Sequence, residues 1–386
     1  MRTSLTVCAI LFCLCLFGMA LLLWLLPKQD FSPVEKRALA RLQKPTAKSL
    51  WSGAWGRGLD AFCGDHLPLR DRLVALKASA ELCLGKQEND GILQGSGGYL
   101  ARRRFSMRSP NGERTDTDLF SEAQVAAACE GILRAERALD VPFAVLLTGR
   151  NLDACPSRFS YPREVSDALN AALRAGLAGC AAAPDLVSLF RAAGEGLYYR
   201  TDHHWTTAGA YLGYTAAMDA LGRGGETLSQ EEFRRETVCE DFYGTLWAAS
   251  GIRTVKPDSV ELWYRGNEAD LAVTADGRDL DGLYTMSRLE GIDPYSVFLD
   301  GTHDVVTVTS RVETDRPRLL VLRDSFGSSL APFLAQHYDL ILLNLSSTRR
   351  DMTNLSALAR DYRADAVLLV YSIENLLTAD RLPRLR

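Results

Sequence analysis

Three uninterrupted apolar runs, PRLLVLRD (317–324), YDLILLNL (338–345) and DAVLLVYS (365–372), are separated by helical periodicity at Phe326–Gln336 and Met352–Tyr362. A strand with one wet face alternates apolar and polar residues, so runs this continuous are buried on both faces. Helices between them return the chain to the same sheet edge. The pattern predicts an α/β protein with a mainly parallel sheet and helices on both faces. The same step occurs earlier, where a helical pattern over Asp116–Leu139, with Thr115 or Thr117 as its cap, leads into VPFAVLLTG (141–149). Further helices are expected at Leu67–Leu84, Pro162–Leu177 and Thr206–Leu221, a short strand at Asp185–Phe190, and a hairpin in GILQGSGGYLARRR (91–104). Residues 224–315 are rich in Gly, Asp, Thr and aromatics and lack long helical patterns, which reads as an irregular or β-rich insertion.

Upstream of all this, Ser4–Leu26 contains no charged residue, ends at Pro27 and carries Trp24 near its end. As a helix the run covers a hydrocarbon core of about 30 Å. It is longer than the apolar region of a cleavable signal peptide and lacks a small-x-small cleavage site, which favours an uncleaved anchor. The expected organisation is therefore an N-terminal transmembrane anchor at 1–27, a juxtamembrane stalk and leading helix at 28–86, and the α/β domain at 87–386 with its insertion at about 224–315. The expected location is the cell membrane, crossed once, with the α/β domain extracytoplasmic. Lys+Arg number 44 against Asp+Glu 48, a net charge of -4, so no overall positive charge is available to neutralise a nucleic-acid backbone. Cys8, Cys13 and Cys15 lie inside the apolar run. Cys63, Cys83, Cys129, Cys155, Cys180 and Cys239 lie outside it, where export would let them pair or leave them as buried thiols. None has zinc-ligand spacing.

The segment YYRTDHHWTTAGAYLGY (198–214) places an acid, two imidazoles and a Trp just before a helix capped by Thr206 or Thr207. In an extended backbone, side chains two residues apart share a face, so Asp202 would reach the His204 ring while His203 points the other way. The carboxylate would fix the imidazole tautomer and stabilise the imidazolium formed on proton uptake. Two readings compete with acid-base catalysis: a capping Asp beside surface histidines, and a metal site made by Asp202, His203 and His204. A nucleophile is available in LRDSFGSS (322–329), where Ser325 occupies the turn after a parallel strand, the place where open α/β sheets carry ligands. Its structural alternative is a helix N-cap, shared with Asp324 or Ser328.

The YYRTDHHWTTAGAY segment resembles the signature of the bacterial DHHW protein family. The resemblance extends over most of the exported part, including ENDGILQGSGGYL (88–100), FYGTLW (242–247), DPYSVFLDGTHDVV (293–306), LLVLRDSFGSSLAPFLAQHYDLILLNL (319–345) and AVLLVYSIENL (366–376). That family is similar to the alginate O-acetylation proteins, whose SGNH-hydrolase-like domains use an Asp-x-His pair and a downstream Ser. The resemblance implies Asp202 as orienter, His204 as general base and Ser325 as nucleophile. The order Asp, His, Ser is permuted relative to ordinary SGNH hydrolases. Arg323 stands where their Gly-Asp-Ser block has Gly, a position that would put a positive charge beside an anionic acceptor, and the Asp-to-His separation is two rather than three.

The Ser325 N–H is the safest oxyanion donor, with Asn151 and the stretch GTH (301–303) as further candidates. Tyr198, Tyr199 and Trp205 flank the proposed site and are candidates for stacking on sugar rings, although aromatics beside a buried turn are more often core. His66 and His337 receive no role. The implied function is a Ser-His-Asp acyltransferase that O-acetylates a cell-envelope or secreted polysaccharide. Its implied partners are a glycan acceptor and an acetyl donor supplied by a membrane-bound O-acyltransferase. A carbohydrate acetyl esterase uses the same residues, and a non-catalytic glycan-binding or assembly protein is the alternative of another class. No cofactor and no metal are expected.

Overall fold

The computed structural model describes residues 2–108, 114–345, 352–378 and 381–386. The chain divides into two compact units. The first comprises residues up to Asp90 together with Ala248–Thr254, and the second comprises Gly91–Trp247 and Val255–Arg386.

In the first unit a helix spans Arg2–Leu25, and its Thr6–Leu25 part is long and apolar enough to cross a membrane. Large side chains such as Phe12, Phe17 and Leu25 remain exposed on it. The expected stalk is more structured than its composition suggested, with helices at Ala47–Trp51, Ala54–Asp65 and Arg70–Cys83. Leu69, at φ 60, breaks the helical path at the start of the expected Leu67–Leu84 helix. Arg37 donates to both carboxylate oxygens of Asp65, at 3.0 and 2.5 Å, and this bond together with the Ala40 N–H holds the Asp65 carboxyl down to about 2.

The second unit is built on a seven-stranded sheet. Its strands are β1 (Phe143–Thr148), β2 (Leu271–Ala275), β3 (Arg278–Leu280), β4 (Val305–Ser310), β5 (Arg318–Arg323), β6 (Asp339–Asn344) and β7 (Ala366–Ser372), in the order β3-β2-β4-β6-β5-β7-β1. From β6 through β5 and β7 to β1 every pairing is parallel. From β6 through β4 and β2 to β3 every pairing is antiparallel. The sheet is therefore mixed rather than mainly parallel. The missed half comes from residues 271–310, where β2 and β3 are joined by a tight turn and β3 and β4 by a longer connection with only short 3-10 turns, so no helical periodicity marks these strands. That region is a structural half of the sheet, not an appendage to it.

Alternate residues of the central strands enter two cores, which explains their unbroken apolarity. Leu319 and Val321 of β5 face one core with Leu340, Leu342, Leu368 and Val370. Leu320 and Leu322 face the other with Ile341, Leu343, Val367 and Leu369. Helices α1 (Glu122–Ala138), α2 (Arg163–Gly176), α3 (Leu186–Ala193), α4 (Thr207–Ala220), α5 (Phe326–Leu334), α6 (Leu355–Asp361) and α7 (Ile373–Thr378) complete the layers. The first core takes Phe190 of α3 with α4 and α5. The second takes α1, α2, α6 and α7.

Helix α1 begins after Ser121, whose hydroxyl accepts from Gln124 N–H, rather than after Thr115 or Thr117. The expected strand at Asp185–Phe190 is instead the helix α3, capped by Asp185, which accepts from Ser188 N–H at 3.0 Å. A short apolar run cannot separate the two periods, and here the cap decides. Thr206 caps α4 as expected.

A two-stranded antiparallel ribbon, Arg234–Phe242 with Asp258–Tyr264, supports a third apolar cluster. In it Phe242, Val260 and Leu262 pack with Tyr199, Tyr295 and Phe298. All nine cysteines are free thiols. Burial pushes the Cys129 and Cys180 thiols up to about 11.

Candidate active site

Strand β5 ends at Arg323, and Asp324 and Ser325 form the turn into α5. The capping duty at this turn falls to Asp324 rather than to Ser325. Its Oδ1 accepts from Phe326 N–H at 3.0 Å, while its Oδ2 accepts from Ser372 N–H and from Asn375 Nδ2, each at 2.8 Å. The Ser325 side chain makes no capping bond. Its hydroxyl lies instead 2.7 Å from His204 Nε2. The N-cap reading therefore moves to the neighbouring residue, and the strand end presents a free hydroxyl to an imidazole.

His204 Nδ1 is 2.6 Å from Asp202 Oδ1, and the same oxygen accepts from His204 N–H at 3.0 Å. The second contact is an Asx turn, in which the carboxylate stands in for a backbone acceptor two residues back. This corrects the extended geometry expected from the spacing. Residues 201–204 form a bend, closed by Tyr199 N–H donating to His204 O. His203 consequently stays beside its neighbour, ring centroids 3.9 Å apart, instead of pointing away.

Asp202 is 1% exposed, so its charge needs internal partners. Its Oδ2 accepts from the Thr245 N–H at 2.7 Å and from the Thr245 hydroxyl at 3.0 Å. Burial alone would push this carboxyl up, but His203, His204 and these donors hold it well below the usual carboxylate range. His203 Nδ1 lies 2.8 Å from Thr245 Oγ1, which extends the network outward to a ring whose side chain is 32% exposed. With Nδ1–H donated to the ionised Asp202, His204 Nε2 keeps its lone pair toward the Ser325 proton. Asp202, His203 and His204 also bring ligand-type atoms within 4.8 Å of one another. Both ring nitrogens of His204 are already engaged, however, so its contribution to a metal ion would dismantle either the Asp202 or the Ser325 contact.

Several supports were not legible in the motif. Asp258 accepts from Thr201 N–H at 2.8 Å and from the Thr201 hydroxyl at 2.6 Å, fixing the residue before Asp202. Gly244 passes so close that an added Cβ would lie 2.2 Å from Asp202 Cβ. The Tyr295 ring stacks on His204, and its hydroxyl donates to Ser325 O at 3.2 Å and lies 2.9 Å from Ser329 Oγ. FYGTLW and DPYSVF carried part of the family resemblance, and they are the segments that supply Gly244, Thr245 and Tyr295.

Other expected site residues take structural places. Trp205 is fully buried and donates from Nε1 to Ser329 Oγ at 2.8 Å. Tyr199 is 2% exposed in the third apolar cluster, so neither ring can stack on a sugar. Tyr198 is equally buried, its hydroxyl donating to Gly149 O. Arg323, 1% exposed, lies beneath α5 and donates to Ser328 Oγ at 2.9 Å, out of reach of an anionic acceptor. Burial lowers its guanidinium to about 10. Gly327 is required above it, since an added Cβ would lie 2.7 Å from Arg323 Cβ. Asn151 is buried at the end of β1, with its side-chain amide donating to Leu100 O. His303 is held between Asp276 at 3.2 Å and Asp300 at 3.3 Å. His66 contacts Ala40 O, and His337 contacts the Tyr214 hydroxyl.

Fold and geometry together define a mixed α/β protein with an Asp-His-Ser array at the carboxyl end of its parallel strands. Residues 181–343 match the family model described as DHHW protein, so the resemblance read from the DHHW segment holds over that span. The fold is similar to that of a DHHW family protein from Eubacterium siraeum, with 16% identity and a TM-score of 0.55 over 76% of this chain and 97% of that one. It is also similar to Bacillus cereus PatB1, solved with a sulfonyl adduct, with 17% identity and a TM-score of 0.57 over 73% of this chain and 99% of that one. The O-acetyltransferase domain of Pseudomonas putida AlgJ aligns at 14% identity and a TM-score of 0.42, over 74% of this chain and 92% of that one. No curated protein matches the sequence.

Proposed function

We propose that the chain is a serine acyltransferase that moves an acetyl group from an activated ester or thioester to a hydroxyl of a glycan. The observation that carries this reading is the continuous array from Asp202 through His204 to Ser325, with contacts of 2.6 and 2.7 Å. His204 Nε2 takes the Ser325 proton as Oγ bonds to the acetyl carbonyl carbon; the donor's ester or thioester bond then breaks, and its leaving group takes the proton from His204. In the second half, His204 removes a proton from the acceptor hydroxyl, the new ester bond forms, and Ser325 Oγ leaves with the proton returned. Asp202 stays ionised and stabilises the imidazolium in both halves.

Phe326 N–H is committed to Asp324 Oδ1 and Gly327 N–H to Asp324 O, so the Ser325 N–H is the assigned oxyanion donor. The glycan class rests on the resemblance to the alginate O-acetylation proteins. Their manner of supply suggests a donor delivered by a membrane-bound O-acyltransferase, to a domain tethered outside the membrane by residues 4–26. Water in place of the glycan would make the same array an esterase.

The test is the mass of the full-length chain in detergent after exposure to p-nitrophenyl acetate, for wild type, Ser325→Ala and His204→Ala. One acetyl group on the Ser325 peptide, absent from the Ser variant and strongly reduced in the His variant, is the expected result. A folded wild type with neither adduct nor turnover above the variants would sink the enzyme reading in favour of a glycan-binding protein.

A further inference from the structure

The apolar helix of the first unit does not end bare. Its Thr6–Leu25 part is 20 residues long, and at about 1.5 Å each these cover a hydrocarbon core of about 30 Å, which puts Trp24 at the core's boundary. Phe62 of the helix Ala54–Asp65 lies there too, its ring centroid 6.2 Å from that of Trp24. Leu23 and Phe62 are each 7% exposed, in contrast to the bare Leu14 and Phe17 further up the apolar helix. Trp55, Leu59 and Phe62 share one face of the second helix, and Trp55 Nε1 donates to Gln43 O at 3.0 Å, so the preceding segment is tied to that face as well. With the apolar helix in a bilayer, this helix and the segment tied to it are held next to the headgroups.

The segment presents basic and apolar side chains together. Residues 41–64 contain four cations, Arg41, Lys44, Lys48 and Arg57, against one acid, Asp60, whereas the whole chain has a net charge of -4. Arg41 is paired with Asp30, but Lys44, Lys48 and Arg57 have no carboxylate partner among the described residues. Beside Lys48 on the short helix Ala47–Trp51, Leu50 is 56% exposed and Trp51 96%. Arg41, Lys44 and Trp55 line a hollow of about 290 Å³.

We infer that residues 41–64 form a collar that docks on the surface of an anionic phospholipid bilayer, with Leu50 and Trp51 among the headgroups and Lys44, Lys48 and Arg57 against their phosphates. This rests on the reading of residues 4–26 as a membrane tether. An indole is favoured at headgroup depth, where its apolar ring leaves water and its N–H stays hydrogen-bonded. Cations without internal partners are drawn to negative lipid. A protein partner would cover the same side chains, but the contact between Trp24 and Phe62 brings lipid to them without one.

The experiment places the full-length chain in nanodiscs of phosphatidylcholine, alone or mixed with phosphatidylglycerol, with the acyl chains brominated to quench nearby indoles. Subtracting the emission of Trp51→Phe from that of wild type isolates Trp51, and Trp24→Phe isolates Trp24 as the marker of the inserted helix. Trp51 is almost fully exposed, so its replacement disturbs no packing. Its emission should shift to the blue and be quenched at least about twofold more strongly in discs containing phosphatidylglycerol than in neutral ones. Replacing both lysines, Lys44→Glu with Lys48→Glu, should abolish that difference. Trp51 unquenched while Trp24 is quenched overturns the collar and leaves the surface to a protein partner. Quenching that ignores lipid charge, or that survives the double lysine replacement unchanged, overturns it as an anionic-lipid site. If Trp24 is itself unquenched, the tether reading falls, and the collar with it. The acyl-transfer reading depends on none of these results.

Discussion

The Tyr295 ring lies flat on the His204 imidazole, with centroids 3.8 Å apart and planes within 9°. The same side chain reaches past the imidazole to Ser325 O and Ser329 Oγ, so one residue fixes both the ring and the serine turn. Burial pushes its phenol up, which keeps the hydroxyl protonated as a donor. Tyr295→Phe retains the stack and loses the hydroxyl contacts, whereas Tyr295→Leu loses both. Turnover of an acetyl ester should fall by about 10-fold in Tyr295→Leu and less in Tyr295→Phe. Equal rates for the two variants would show that stacking contributes nothing.

Asp202→Asn should lower turnover by about 10³- to 10⁴-fold while leaving the fold intact, because an amide no longer selects the Nδ1–H tautomer. The folded carboxyl lies below its ordinary value, so its ionised form contributes stability above the normal carboxylate range of about 3.9. That contribution is lost as pH falls through the depressed folded value. Urea unfolding should therefore show a gap between wild type and Asp202→Asn at neutral pH that narrows in strong acid. A gap widening in acid would contradict the assignment.

Gly244→Ala changes no chemical group of the array, yet its Cβ would overlap Asp202 Cβ at 2.2 Å. Asp202 or the 244–245 turn must shift, and Thr245 supplies two of the carboxylate's donors. Turnover should drop at least about 10-fold, since displacements near 1 Å carry costs of that order or more. A kcat equal to wild type would mean that the turn relaxes without moving the carboxylate.

Away from the array, Arg150 and Asp153 form a buried bidentate pair, both contacts at 2.8 Å, and Asp153 also accepts from the Ser166 hydroxyl at 2.5 Å. Asp153→Ala leaves a buried guanidinium without its carboxylate, a change that costs about 3–5 kcal/mol. Chemical denaturation should show a midpoint lowered accordingly. A loss well below that range would indicate that Arg150 finds solvent or another acceptor.

The thiols of Cys129 and Cys180 are pushed up to about 11 by burial, so little thiolate forms at neutral pH. Both should resist a disulfide reagent in the native protein and react on unfolding. Rapid native labelling at either residue would show that the packing around it opens readily.

The central strands and the Asp202, His204 and Ser325 types were legible because their signals are local: unbroken apolarity, and a distinctive motif before a capped helix. The bend at 201–204 was not, since it depends on an Asx turn and on Asp258 arriving from a distant strand. Trp205 and Tyr199 were candidates for sugar platforms as well as for the more usual core role, and only packing separates those fates. Arg323 looked like an acceptor-side charge because a strand end is usually open, but α5 closes over it at Gly327.

The sequence by itself determined which segments bury both faces, which residue types can pass a proton, and which helix could cross a membrane. Tertiary structure decided that residues 271–310 turn antiparallel and complete the sheet, that Asp324 takes the cap and leaves Ser325 its hydroxyl, and that Thr245 and Tyr295 hold the array. The physical reason is range. Periodicity and capping act within a few residues, whereas His204 and Ser325 are 121 residues apart and meet only when separate strands and turns are packed.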